Sequence, residues 1–284
     1  MEVFSTVTAL QDRISSLKKN KQTIGLVPTM GALHNGHISL VNQSKEKCDY
    51  TIVSIFVNPT QFNNSSDLEK YPRTFEKDLS LLKESGVDFI FHPSVEEIYP
   101  QNYKSPEIDL GILDKVMEGK FRNGHFQGVV EVVKRLFEIC IPDFSFFGQK
   151  DFQQVAVIKF MTNYFNLPVE IIECPIIRTN EGLAMSSRNM RLSQLEQQQS
   201  LVIYKALTFA KETINRLTPN EVIQECTNLI NEAGLKTEYI EIVNPVTLES
   251  LSTDWNSNAV CCVAAYCGEV RLIDNMVLIN DFKN

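Results

Sequence analysis

Between residues 6 and 19 the apolar side chains Val7, Leu10, Ile14 and Leu17 recur at helical spacing and predict an amphipathic helix. A short unbroken apolar run follows, Ile24 to Val27, and predicts a buried strand. Pro28, which has no N–H for a ladder, is expected to end that strand at its carboxyl edge. Glycine and polar positions come next, and at Ile38, Leu40 and Val41 an amphipathic pattern resumes. Strand, glycine-bearing turn and helix start are therefore expected within Thr23 to Val41, TIGLVPTMGALHNGHISLV. Such a helix start carries unpaired N–H groups and a partial positive charge, which suits a phosphate.

The same alternation continues. Tyr50 to Val57 predicts a second strand, stopped by Asn58 and Pro59, so Asn58 and Gln61 are expected just past a strand's carboxyl end. Residues 63–70 read as loop. YPRTFEKDLSLLKESG reads as a helix with Leu79, Leu81 and Leu82 inward, VDFIFHP as a short strand, and 94–110 as irregular. VVEVVKRLFEIC predicts a helix ended by Pro142. FSFFG predicts a strand that runs into Gln149, Lys150 and Asp151 before the helical DFQQVAVIKFMTNYF, so strand, glycine, polar residues and helix occur a second time. PVEIIECPIIR supplies one more strand. Strands alternating with helices to about residue 176 predict an α/β domain with a doubly wound parallel sheet.

After Arg178 the pattern changes. TNEGLAMSSRNMRLS reads as a loop, and two helices follow, the second after Pro219. KTEYIEIV, NAVCCVAAYC and EVRLIDNMVLI read as strands, with Gly268 suited to a hairpin between the last two. This predicts a smaller α+β domain over 177–284, behind a first domain of 1–176.

Composition narrows the classes. The 284 residues, 43% hydrophobic and 22% charged, are those of a globular chain with a sizeable core. A net charge of −8 argues against a general nucleic-acid surface, so an anionic substrate would need a locally basic pocket. No apolar run approaches the about 18 residues of a membrane span, and the N-terminal stretch lacks a signal-peptide core, which reads as cytoplasmic. The seven cysteines form no C-x-x-C pair and read as buried reduced thiols.

The Gly31–Gly36 spacing fits the start of a P-loop, but the Lys and Ser/Thr positions hold His37 and Ile38, and no dinucleotide fingerprint is present. What remains is His-Asn-Gly-His at a helix start, where two imidazoles share one face and reach toward phosphate oxygens. A capped helix with two surface histidines is the other reading. Asn58 as a plain turn residue, and Lys150 with Asp151 as a solvated pair, likewise stay open beside their reading as ligand contacts.

GLVPTMGALHNGHISLV, SIFVNPTQF, YPRT, GHFQGV, FFGQKDFQQ and MSSRNMRLS stand in this order, and the chain thereby resembles the pantothenate synthetase (pantoate–β-alanine ligase) family. The motifs run from about residue 1 to 195. The resemblance implies a Rossmann-like fold of the nucleotidyltransferase superfamily with a C-terminal lid domain. It implies condensation of (R)-pantoate with β-alanine, driven by ATP cleavage to AMP and diphosphate, with Mg²⁺ and a pantoyl-adenylate intermediate. It also implies a cytoplasmic homodimer with no nucleic-acid or membrane partner. A second nucleotidyltransferase with His-x-Gly-His and a phosphate acceptor would share His34 and His37, but Gln61 and Gln154 suit an uncharged polyol acid better. A nucleotide fold without turnover is the rival of another class, against which the full set of site residues counts.

By that resemblance Met30, Gly31, Ala32, Leu33, His34, Asn35, Gly36 and His37 line the ATP site, and His37 is catalytic. Gly148, Gln149, Lys150 and Asp151 hold ribose and phosphate, with Lys150 catalytic; Ile177 meets the adenine. Met185, Ser186, Ser187 and Arg188 form a cationic loop over the triphosphate, with Arg188 the third catalytic group. Asn58, Gln61 and Gln154 face pantoate and β-alanine, while the protein ligands of the metal stay unassigned. Gln149, Asn123 and Met185 depart from residues common in the family; none removes a core motif position.

Overall fold

A computed structural model describes residues 1–63, 65–255 and 258–280, without the side chains of 65 and 66. The chain divides into two compact units. One comprises Met1–Gln149 and Gln153–Pro175, the other Lys150–Phe152 and Ile176–Asn284. The last four residues of the expected second domain, and 256–257, lie outside the described residues.

In chain order the first unit contains β1 (Glu2–Phe4), α1 (Val7–Lys19), β2 (Ile24–Thr29), α2 (Asn35–Lys47), β3 (Tyr50–Ile55), α3 (Ser65–Glu69) and α4 (Phe75–Glu84). It continues with β4 (Phe89–Phe91), α5 (Val95–Ile98), α6 (Met117–Phe121), α7 (His125–Cys140), β5 (Phe144–Gly148), all but the first residue of α8 (Phe152–Tyr164), and β6 (Glu170–Cys174). Among the described residues the six strands form one sheet in the order β1-β4-β3-β2-β5-β6, with every pairing parallel. The chain winds outward from β2 through β3 to β4, then returns to the other side of β2 at β5. That reversal makes the carboxyl ends of β2 and β5 a topological switch point, the place where such sheets bind ligands.

Three local features set this geometry. Gly25 in β2 lets α2 approach closely, because a Cβ there would lie 2.1 Å from Ser44 Oγ. Leu40 and Val41 of α2 then pack with Val27, Val53, Ile55 and Phe146 of the sheet. Pro28, expected to end β2, lies inside it, paired in register with Ser54. The reason is directional. Ile24 and Leu26 turn their carbonyls toward β5, where Asp143 N and Ser145 Oγ donate to them. By the two-residue period Pro28 faces the same way, but β5 registers only with Gly25 and Leu26, so no ladder bond is missing.

Elsewhere the structure adds to the pattern. The stretch 63–70, expected as loop, contains α3, and 94–110, expected as irregular, contains α5. α7 begins at His125, so HFQG belongs to the helix. In α4 the buried positions are Leu82 and Asp78, whereas Leu79 and Leu81 are half-buried. β1 is too short to show in the apolar pattern; its three residues pair with β4.

The second unit contains α9 (Gln194–Thr213), α10 (Pro219–Glu232), β7 (Lys236–Val243), β8 (Asn258–Cys267) and β9 (Val270–Asn280). The three strands form an antiparallel sheet, and β8 and β9 join through Gly268 and Glu269 as expected. Ile203, Leu207, Val222, Ile230, Ile242 and Val263 belong to one buried core. Ser193 and Thr218 close capping boxes on α9 and α10 with Glu196 and Glu221. All seven cysteines are free thiols; Cys48 is half-buried and the others are buried. Burial pushes the thiols of Cys48 and Cys174 up to about 11. No described helix is long and apolar enough to cross a membrane.

Candidate active site

In the first unit the loops after β2, β3 and β5 carry most of the candidate residues. The loop after β2 turns sharply, with Gly31 at φ +80 and Ala32 at φ +50. Its backbone is held from below by Asp78, which is only 2% exposed. Ala32 N and Leu33 N donate to the two carboxylate oxygens at 3.0 and 2.8 Å, and Thr74 Oγ1 donates at 3.2 Å. Thr29 Oγ1 accepts from Gly31 N at 3.2 Å and donates to Ser54 O at 2.7 Å. In the sequence Asp78 reads as an ordinary helical acid. The one available signal is its place among the inward positions of α4.

His34 sits just before α2 and His37 in its first turn. His34 is the N-cap of α2 and His37 its third residue, and the two imidazoles form a reciprocal cap. Gly36 N donates to His34 Nδ1 at 3.1 Å, and His34 N donates to His37 Nδ1 at 3.3 Å. The ring centroids are 4.1 Å apart. Because both Nδ1 atoms accept, the neutral rings carry their protons on Nε2. The capping reading of the sequence is thus met, and the cap leaves Nε2 of each neutral ring as its donor nitrogen.

After β3, Asn58 and Gln61 are buried at 1% and 9% exposure. Asn58 Nδ2 donates to Gly128 O at 3.1 Å and Gln61 Oε1 at 3.2 Å; Asn58 Oδ1 accepts from the Tyr99 hydroxyl at 2.9 Å. Gln61 Nε2 then points toward Met30 Sδ, 3.3 Å away, which joins the loops after β2 and β3. Asn58 thus holds the Gln61 amide with its Nε2 turned away from Asn58. His125 Nδ1 bonds Gln61 O at 2.8 Å. Gly128 lets α7 reach this loop, since a Cβ there would lie 2.4 Å from Thr60 O. Burial raises the Tyr99 hydroxyl pKa, which keeps it a donor. The sequence does not single out Tyr99, His125 and Gly128 as support for Asn58 and Gln61, because the contacts span 41 to 70 residues.

Gly148 ends β5, and Gln149–Asp151 form a 3-10 turn into α8. Of the adjacent glutamines, Gln153 is structural: it is 3% exposed and bonds Leu113 O, Val116 O and Glu118 N at 2.9 Å each. Gln154 is half-buried.

In the second unit Lys150 Nζ lies 3.3 Å from both Asp151 oxygens. Ile177 and Met185 close a narrow hairpin, with Met185 N donating to Ile177 O at 2.9 Å and Arg178 bridged to Ala184. The following Ser187–Arg191 is a 3-10 turn, not an open loop. Ser186 Oγ accepts from Arg188 N at 3.3 Å, and Asn189 Nδ2 ties the turn to Ala184 O at 3.0 Å. Among the described residues no three His, Cys, Asp or Glu side chains form a metal-binding group.

A family model described as Pantoate-beta-alanine ligase matches residues 2–277. The chain is 48% identical to the pantothenate synthetase of Porphyromonas gingivalis over 279 residues, covering 97% of this chain and 99% of the relative. It is 45% identical to that of Bacteroides thetaiotaomicron, covering 97% and 98%. Among solved structures, pantothenate synthetase from Thermus thermophilus superposes with a TM-score of 0.93 at 38% identity, covering 99% of this chain and 100% of that one. Pantoate-beta-alanine ligase from Francisella tularensis, complexed with beta-gamma ATP and beta-alanine, gives 0.83 at 39% identity, covering 98% of each chain.

Proposed function

The chain belongs to the pantoate-β-alanine ligase family, and on that premise we propose that it condenses pantoate with β-alanine through a pantoyl adenylate, driven by ATP cleavage to AMP and diphosphate. The observation that carries the reading is the two-histidine cap at a sheet switch point, joined through Met30 to the oriented amide of Gln61.

A pantoate carboxylate oxygen attacks the α-phosphorus of ATP, and the bond to the diphosphate leaving group breaks. Two anions must meet, so positioning and neutralisation are the protein's task. Met30 to His37 wrap the nucleotide, and the Nε2 protons of His34 and His37 donate to phosphate oxygens beside the α2 N-terminus. Lys150 adds positive charge, Gly148, Gln149 and Asp151 take the ribose and phosphate, and Ile177 meets the adenine. Gln61 Nε2 suits the pantoate carboxylate, and Gln154 a pantoate hydroxyl. The β-alanine amine then attacks the acyl carbon, and AMP leaves with the electron pair of the broken bond. No covalent enzyme intermediate is required.

Asp151, a hard oxygen donor beside Lys150, is the residue that would help to hold a Mg²⁺ ion in this proposal. When bound, the ion neutralises charge on the triphosphate. A cytoplasmic homodimer completes the proposal on the strength of family membership, and sedimentation across a concentration series tests the dimer.

The reaction is tested by separating its halves. Pantoate alone should support exchange of labelled diphosphate into ATP, and AMP release should need β-alanine as well. AMP release independent of either substrate would overturn the assignment.

The turn at Met185, Ser186, Ser187 and Arg188 closes over the triphosphate in this proposal, excluding water from a hydrolysable adenylate. Its internal bonds let it move as a preformed piece. Arg188→Ala is therefore expected to raise the ATP cleaved per pantothenate formed. ATP with pantoate should slow hydrogen exchange across 180–192 more than pantoate alone. Tight coupling in the variant together with unaltered exchange would reduce this segment to a linker.

A further inference from the structure

Strand β9 departs from alternating burial at its middle. Asp274 and Asn275 are consecutive, polar and buried, at 5% and 2% exposure. Neighbouring side chains on a strand leave on opposite faces, so this pair serves two directions at once.

Asp274 holds Arg178 in a fork, with Nη1 to Oδ2 at 2.5 Å and Nη2 to Oδ1 at 2.9 Å. Arg178 also donates to Gly182 O at 3.1 Å and Asn275 O at 3.3 Å, and its guanidinium lies 4.5 Å from the Tyr204 ring centroid. These bonds span the hairpin that starts at Ile177 and runs into Met185. Gly182 fits only because it has no side chain: a Cβ would lie 2.1 Å from the Tyr204 ring. Asn275 works in the other direction. Its Nδ2 donates to the backbone carbonyl of Lys150 at 3.0 Å, leaving the Lys150 side chain out of the bond.

We infer that Asp274 and Asn275 are positioning residues for adenylation, Asn275 fixing the backbone of Lys150 and Asp274, through Arg178, fixing the hairpin that presents Ile177 and leads to Arg188. This deepens the functional reading and rests on its placement of Lys150, Ile177 and Arg188 at the nucleotide. Stability alone is a poor reason for such a group. A buried ion pair is often no more stabilising than apolar residues of the same volume, whereas a planar fork fixes orientation. Two segments well separated in sequence take their positions from neighbouring points of one strand, so they hold a common register. A misplacement near 1 Å costs on the order of 10²-fold in rate.

The test uses the full chain. Asn275→Asp is isosteric and removes the donor to Lys150 O; Arg178→Lys keeps the charge and loses the fork. Each is expected to slow diphosphate release in a single turnover by about 10–100-fold, with the pantoate KM within about threefold of wild type. Circular dichroism reports folding, and Asn275→Ala is read in the same way if the acid unfolds the unit. A lowered Tm with wild-type adenylation kinetics in the folded variants would show a purely structural role and overturn the inference. Lys150→Ala distinguishes the levels. If it cleaves ATP at the wild-type rate, the reading of Lys150 fails; if it is crippled while Asn275→Asp and Arg178→Lys are normal, only the positioning role fails.

Discussion

Replacing His37 by alanine is expected to slow adenylate formation by about 10²–10⁴-fold, the range for losing one well-placed donor to a developing charge. His37 Nδ1 already accepts from His34 N at 3.3 Å, so the neutral ring presents its proton on Nε2. The substitution also deletes half of a helix cap, which costs about 1 kcal/mol of stability. These effects separate in His37→Gln. Glutamine at the third helical position can still accept from the N-cap backbone, as in an ordinary capping box, but it has no imidazole. Stability should return in that variant and the rate should not. Diphosphate release in a single turnover measures the first, thermal unfolding the second. Adenylation at the wild-type rate in His37→Ala would remove His37 from the chemistry.

The cap shows why the local geometry of part of the candidate site could be read from the chain. His34 and His37 are three residues apart, and local spacing together with a preceding apolar run determines that they meet at a helix start. The same holds for Gly148 to Asp151, where a strand runs directly into a polar turn. Periodicity locates β2, β5, α2, β8 and β9, since each has one buried face or is buried throughout. It misjudges Pro28, because a proline's cost depends on whether a neighbouring strand needs its N–H, and the length of β5 is not written near residue 28.

Supporting groups are invisible for a related reason. Tyr99 meets Asn58 across 41 positions, Asp78 meets Ala32 across 46, and Arg178 meets Asp274 across 96. A single sequence carries no sign of such pairings beyond a polar residue at a position where burial is expected. Asp274 and Asn275 within the apolar β9 carry that sign, as does Asp78 in α4. In each case the buried polar group bonds backbone or a charged partner at a segment proposed to meet the nucleotide.

Asp78→Ala should be the most damaging change away from the substrates themselves. The carboxylate accepts Ala32 N and Leu33 N, one on each oxygen, and Thr74 Oγ1 besides. Hydrogen bonds to a charged acceptor contribute about 1.5–3 kcal/mol each, and leaving buried donors without one costs a comparable amount, so a loss of about 3–5 kcal/mol is expected in urea unfolding. The turn it secures includes Ala32 at φ +50, a conformation that an alanine keeps only when its surroundings impose it. Once that anchor is gone, the Met30–Leu33 segment should relax, and the α2 N-terminus should lose its fixed approach to phosphate. The ATP KM is then expected to rise at least about tenfold, equivalent to some 1.4 kcal/mol of binding, with a smaller change for β-alanine. Asp78→Asn is the informative partner. It keeps the shape and one acceptor but sets an NH₂ against one of the two backbone N–H groups, so it should fold more readily than the alanine variant and still bind ATP weakly. Wild-type ATP affinity in folded Asp78→Asn would mean that the loop holds its shape without the carboxylate, and the anchoring role would have to be abandoned.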